Sequence, residues 1–229
     1  MTAGRPLVLF DIDGTLVRRS GPQHREALVE AVRAVTGLES TTEGVPVHGM
    51  LDPDILTIMM QRAGAPNSLI RRAMPEIVAR AQRVYVRTCP DLRRKTCPGA
   101  RAALERLRHR GALLALVTGN LTRIGWKKLE RAGLKEYFRY GAFGEMARDR
   151  SGLARLAIRK ARERGWITPA SPIALVGDAP ADIQAAKANR VKSIAVYTGI
   201  STPEELAGHR PDLLLRDLRA LPMDAIISR

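Results

Sequence analysis

Two aspartates separated by one residue, Asp11 and Asp13, stand in the middle of the stretch "PLVLFDIDGTLVRR". Leu7, Val8, Leu9 and Phe10 before them form a continuous bulky run that predicts a short buried strand. Carboxylates at the end of such a strand suit metal binding or acid–base work, and Gly14 lets the chain turn away while both point to one side. The pattern recurs. Thr118, Gly119 and Asn120 follow the apolar run Ala112 to Val117, and Asp178, with Asp182 beyond it, follows Ile173 to Val176. Taken alone, Thr118 or Asp178 reads equally well as the cap of the next helix. Three polar clusters, each after an apolar strand, instead point to one shared crevice.

The elements that must carry these residues follow from periodicity. From Pro98 onward helix and strand alternate. A helix ends near Gly111, another near Gly133, "YFRYGAF" holds a short strand, and further helices cover Leu153 to Arg164 and Ala181 to Asn189. The strand "SIAVY" follows, then a final helical stretch. Such alternation predicts an α/β fold, a doubly wound, Rossmann-like parallel sheet with helices on both faces. Between the first strand and Cys97 only helical spacing is found: Ala27, Leu28, Ala31 and Val32; Ile55, Leu56, Met59 and Met60; Ile70, Ile77, Ala81 and Val84. The expected division is a core of residues 1–19 and 98–229, with residues 20–97 inserted as a helical module and the two junctions serving as hinges.

Composition narrows the function classes. Over 229 residues, 45% are hydrophobic but only 4% aromatic, which suits aliphatic helices packed on a sheet. No apolar run reaches membrane-spanning length, and Met1 to Arg5 lacks a signal-peptide pattern, so a cytoplasmic protein with no membrane partner is expected. Cys89 and Cys97 follow no metal or redox spacing and read as free thiols. The net charge is +15, and 31 of the 38 basic residues are arginines. They recur singly or in pairs along helices, without aromatic-studded basic strands, which favours a solvated basic surface over a nucleic-acid face.

At this point the residues carry a resemblance. "DIDGT" at Asp11–Thr15, "LVTGN" at Leu116–Asn120 and "GDAPAD" at Gly177–Asp182 resemble the first, second and fourth motifs of the haloacid dehalogenase superfamily, in order. The similarity extends over the whole chain. "HGMLDPDIL" and "CPGARAALERLRHRG" echo its phosphoglycolate-phosphatase-like branch, and the helical insertion is similar to the small cap of that branch. The resemblance implies Asp11 as a nucleophile that takes up phosphate, with Asp13 as the acid that protonates the leaving alcohol and then the base for water. It implies Mg²⁺ held by Asp11, Asp178 and the backbone of Asp13, a hard ion for oxygen ligands. Thr118, Gly119 and Asn120 would receive the phosphoryl oxygens. Asp182 would support the metal from behind or through water, and fits equally well as a first-turn carboxylate at its helix N-terminus.

The third motif departs from the family. Its usual lysine is absent between Phe143 and Ala161, apart from Lys160 well inside a helix. Arg150 resembles the arginine that a subgroup places there, with Arg148 as the alternative and Arg155 read as a surface residue. His24 and His48 lie where they could touch substrate but read more readily as surface or structural. Gly49 and Asp52 match the cap pattern of the branch, Asp52 fitting equally well as N-cap for a helix starting at Pro53, and Arg18 and Arg19 sit where they meet either substrate or water.

The expectation is a Mg²⁺-dependent phosphomonoester hydrolase acting on a small anionic phosphate ester, phosphoglycolate-like, through an aspartyl-phosphate, with a mobile cap. A sugar phosphomutase would use the same Asp11 and Asp13 and is the first alternative. A basic nucleic-acid-binding or end-processing protein on the same fold is the second. A dehalogenase has no use for the second aspartate or the metal.

Overall fold

Leu7–Phe10 form strand β1 and are fully buried, because helices cover both faces of the sheet they enter. In the computed structural model, which describes residues 4–18 and 21–227, five further strands join it: β2 Leu113–Val117, β3 Tyr140–Ala142, β4 Ile173–Gly177, β5 Lys192–Val196 and β6 Leu213–Leu215. All pairs are parallel, in the spatial order β3-β2-β1-β4-β5-β6. The chain leaves β1 toward β2 and β3, then returns to β1's other side to add β4. The crevice at that reversal lies beyond the carboxyl ends of β1, β2 and β4, where Asp11, Thr118 and Asp178 follow their strands.

The strands' two-residue period sorts the core. Val8, Phe10, Leu114, Leu116 and Val176 face α4 (Ala100–His109) and α5 (Thr122–Ala132), while Leu7, Leu9, Leu113, Ala115 and Leu175 face α6 (Arg150–Glu163) and α7 (Pro180–Ala188). Between β1 and α4 lie α1 (Gln23–Thr36), α2 (Asp52–Arg62) and α3 (Asn67–Thr88), the helical insertion. Their apolar faces, including Leu28, Leu56, Met60 and Ile77, are continuous with the core layer under α4 and α5. The two crossing segments pair antiparallel at Val17 and Thr96, and Arg18 N–H donates to the Lys95 carbonyl. Arg19 lies outside the described residues.

Two expectations need correction. The last part of the chain is not only helical: a short α8 (Pro203–Gly208) is followed by the edge strand β6 and by α9 (Met223–Ile227). Three half-buried leucines carry no periodicity, so β6 is made by its neighbour. It pairs with Ile194–Val196, and Asp212 before it accepts from both the backbone N–H and the hydroxyl of Ser193. The second concerns Asp52, which is the first residue of α2 rather than its cap; Leu51 is the cap, and the Asp52 carboxylate reaches out of its own helix.

Candidate active site

Asp11 leaves β1 with its backbone still in register, its N–H donating to the Val176 carbonyl, so its carboxylate is placed by the sheet itself. It is 4% exposed. Arg150, the first residue of α6, donates from Nη1 to Asp11 Oδ1 at 2.9 Å and to the Val117 carbonyl at 3.2 Å, and its Nε lies 3.3 Å from Asp182 Oδ1. Asp149 caps that helix by accepting from Gly152 N–H at 2.7 Å, which fixes where Arg150 enters. Arg148 and Arg155 are exposed, so of the three arginines weighed for the third motif only Arg150 touches the nucleophile candidate.

Across from this pair, Asp178 and Asp182 complete a cluster with Asp11 in which one oxygen of each lies within 4.8 Å of the others. Burial pushes the Asp178 carboxyl well above the usual range, reinforced by Asp11 and Asp182. Asp182 is pushed up to about 7, by burial first, with Arg150 opposing and Asp11 adding to the rise. Asp11 is raised as well, burial outweighing the Arg150 guanidinium. Three buried carboxylates against one guanidinium leave the cluster short of positive charge. Asp182 answers both of its sequence readings with different oxygens: Oδ2 accepts from Ala179 N–H at 3.2 Å, while Oδ1 is buried without a hydrogen bond and belongs to the cluster. The all-oxygen set, the charge deficit and the orphaned oxygen suit a hard divalent cation. Thr15 donates to Asp178 Oδ1 at 3.2 Å, and Gly14, at φ 80°, leaves room where a Cβ would collide with the Asp178 carboxylate.

Asp13 faces a different environment. Its carboxylate receives Lys128 Nζ at 2.6 and 2.8 Å and Asn120 Nδ2 at 2.7 Å. Burial works to raise its pKa, but Lys128, His24 and these hydrogen bonds together hold it below the ordinary value. Asn120 also donates to the Thr118 hydroxyl at 2.8 Å, so the loop after β2 ties its own two polar side chains together. Gly119 between them carries no side chain because Met50's carbonyl from the insertion occupies that space, and its own carbonyl accepts from Asp52 N–H at 2.8 Å.

The sequence reading missed Lys128. It is fully buried in α5, and its signal was a lysine on the apolar face shared with Ile124 and Ala132. The histidines were also underread. His24 bridges the Asp52 carboxylate, 3.0 Å from Nε2, and Lys128, 3.1 Å from Nδ1, while His48 lies 3.1 Å from Ser201 Oγ and 3.9 Å from Asp178 Oδ2. Asp11, Asp13, Thr118, Asn120, Arg150 and Asp178 line one cleft of about 790 Å³ between sheet edge and insertion, with Lys128, His24, His48, Arg18, Arg25 and the exposed Ile200 also in its lining.

A doubly wound sheet with a carboxylate cluster at its reversal point, faced across a cleft by residues of a helical insertion, makes a site suited to a divalent cation. The profile of the haloacid dehalogenase-like hydrolases matches residues 6–189, and the chain belongs to that family. Phosphoglycolate phosphatase from Pseudomonas fluorescens (strain Pf-5) is 31% identical over 224 residues, covering 94% of this chain and 78% of the relative. Among solved structures, a predicted phosphoglycolate phosphatase from Haemophilus somnus 129PT superposes with a TM-score of 0.68 at 21% identity, over 96% of each chain. The β-phosphoglucomutase of Clostridium difficile gives 0.70 at 15% identity, over 97% of this chain and 95% of the other. The family match and the curated relative place the chain among the phosphatases of the family, and the solved structures share its fold. Among the described residues no helix is long and apolar enough to cross a membrane.

Proposed function

We propose that the cleft hydrolyses a small anionic phosphate monoester with Mg²⁺, residues 20–97 acting as a cap over a core of residues 1–19 and 98–229. The observation that carries this reading is the division of labour between Asp11 and Asp13. One sits in an anionic cluster beside Arg150, and the other is gripped by Lys128 and Asn120 on the opposite wall.

Asp11, Asp178 and the backbone carbonyl of Asp13 would hold the cation, with Asp182 behind them. The ion supplies charge neutralisation, letting a carboxylate approach an already anionic phosphoryl group. Asp11 attacks phosphorus, the ester P–O bond breaks, and the leaving oxygen takes a proton from Asp13, a carboxylate in the free protein that takes that proton up from solvent as the anionic substrate binds beside it. Water then attacks phosphorus, Asp13 takes its proton, and the P–O bond to Asp11 breaks to return the free carboxylate. Arg150 supports Asp11 and the phosphoryl oxygens, while the Thr118 hydroxyl and the backbone N–H groups of Gly119 and Asn120 receive the developing charge. The insertion keeps bulk water out, and Arg18 and Arg25 at the mouth favour a substrate with a second anionic group. Phosphoglycolate, for which the curated relatives are named, fits that class.

Phosphate release from an aryl phosphate and a panel of metabolite phosphates, with and without Mg²⁺, tests the reading. Wild type should release phosphate only with the metal, and Asp11→Asn should lose turnover while keeping the fold. An isomerised sugar phosphate without free phosphate would establish the mutase reading instead. Retained activity in Asp11→Asn would remove the nucleophile assignment.

A further inference from the structure

Lys128 is the one fully buried lysine among the described residues, and burying an ammonium costs several kcal/mol unless its partners are very good. An ammonium has three donors. Those of Lys128 meet the Asp13 carboxylate, Asn120 Oδ1 at 2.7 Å and His24 Nδ1 at 3.1 Å, with the Tyr85 ring centroid 5.9 Å away. It forms part of the cleft wall, but its side chain is 1% exposed and its three donors are already engaged. Whatever it does in the reaction it does through its neighbours.

We infer that Lys128 is a positioning residue that fixes the Asp13 carboxylate for proton transfer, and that it does so as the junction between core and insertion. The inference rests on the hydrolase reading above. Lys128 stands two turns into α5, the helix that begins directly after the Thr118–Asn120 loop, so the distance from that loop to Nζ is set by a rigid element. Asn120 ties the loop to both members of the pair, donating to Asp13 and accepting from Lys128. On the other side His24 of α1 links Lys128 to Asp52 of α2, and Asp52 in turn accepts from Leu121 N–H at 2.8 Å. Asp13 is therefore oriented by core and insertion together. The step most dependent on that orientation is the second. Water oxygen forms its bond to phosphorus, the bond from phosphorus to the Asp11 oxygen breaks with its electron pair returning to Asp11, and the water proton passes to Asp13. Without Lys128, Asp13 keeps only Asn120 and loses its fixed direction.

Pre-steady-state hydrolysis of p-nitrophenyl phosphate by wild type, Lys128→Met, Asp13→Asn and the double variant tests this. The aryl leaving group departs without needing a proton, so Lys128→Met should release about one nitrophenolate per site in a burst and then turn over roughly 10²-fold more slowly, within the range of acid–base catalysis. Asp13→Asn should behave alike, and adding Lys128→Met to it should change the steady rate by less than about threefold, the non-additivity expected of residues acting as one unit. The double variant removes both charges and is the one expected to fold without an unpaired buried group. Slowing of burst and steady phases together in Lys128→Met, equal slowing in the Asp13→Asn background, or unchanged turnover would each overturn the assignment. Full turnover by Asp13→Asn would instead overturn the hydrolase mechanism, and the role of Lys128 with it.

Discussion

Asp11 and Asp13 are two residues apart in sequence, yet the fold pulls their acidities in opposite directions, Asp11 upward and Asp13 downward. Both are placed by β1, so the strand does not explain the difference. What differs is which elements close around them. Asp11 faces β4 and the start of α7, which add two more buried carboxylates, and α6, which adds one guanidinium. Asp13 faces α5, the loop before it and the insertion, which add the Lys128 ammonium and the polar side chains of Asn120 and His24. One wall of the cleft is left needing a cation; the other carries its own. Identical residue types two positions apart thus acquire opposite electrostatic surroundings from the elements that close around them.

Arg150 is the strongest lever on this contrast. Arg150→Met leaves Asp11 and Asp182 buried with no cation beside them, and removing one partner of a buried pair typically costs about 3–5 kcal/mol. Denaturant unfolding of the metal-free protein at pH 8 should show a loss of that order, and saturating Mg²⁺ should recover part of it. A loss below about 1 kcal/mol would mean the cluster is already neutralised without the arginine, and the two walls would then be alike.

Much of this site is visible in the sequence, and the parts that are not share a cause. Asp11, Thr118 and Asp178 each end an apolar strand, and parallel pairing brings strand ends together, so local pattern suffices. Arg150 stands out among neighbouring arginines because it opens a helix; its burial and its contact with Asp11 are supplied by the structure. Lys128 and His24 belong to no motif, and Asp52, though inside "HGMLDPDIL", gives no local sign of its partners. They meet across the junction of core and insertion, from α5, α1 and α2, and their contacts span 28 to 115 positions of chain. Strand β6 escaped detection for a similar reason, since its three leucines become a strand only beside β5.

The metal wall makes a second test, in which pH separates the two halves. Asp182, raised to about 7, and Asp178, raised in the same direction, bind protons more tightly when folded than when unfolded. Their contribution to stability is therefore full below the ordinary carboxylate value of 3.8 and is lost as pH rises through about 7. Asp13 is depressed, so its contribution is present above 3.8 and fades only as pH falls through its lowered value. Between pH 5 and 8 the cluster's share changes while that of Asp13 does not. Metal-free protein should melt lower at pH 8 than at pH 5.5, and Mg²⁺ should remove the difference while raising stability by about 2.7 kcal/mol at a hundredfold excess over Kd. Asp178→Asn should abolish most of the Mg²⁺-induced rise in melting temperature. A rise of wild-type size in that variant would place the cation elsewhere.

The smallest expected effect probes how the insertion holds the Asp13 wall. Helix α5 caps none of its own first N–H groups. Leu121 donates to Asp52, Thr122 to Glu145 at 3.0 Å and Arg123 to Gln82 of α3 at 2.7 Å, so two of the three acceptors come from the inserted helices. An acceptor at a helix N-terminus is worth about 1 kcal/mol. Gln82→Ala removes one that is partly exposed and distant from Asp11, Asp178 and Asp182, so the melting temperature should drop by roughly 2–4 °C, the shift that 1 kcal/mol produces in a chain of this size. The Mg²⁺-induced rise should be unchanged, because the metal wall is built from other elements. Hydrogen exchange should accelerate first at the α5 N-terminus, the end from which Lys128 is positioned. An unchanged melting temperature with unchanged exchange would show that water replaces Gln82 at no cost, and that α5 is held by Asp52 and Glu145 alone.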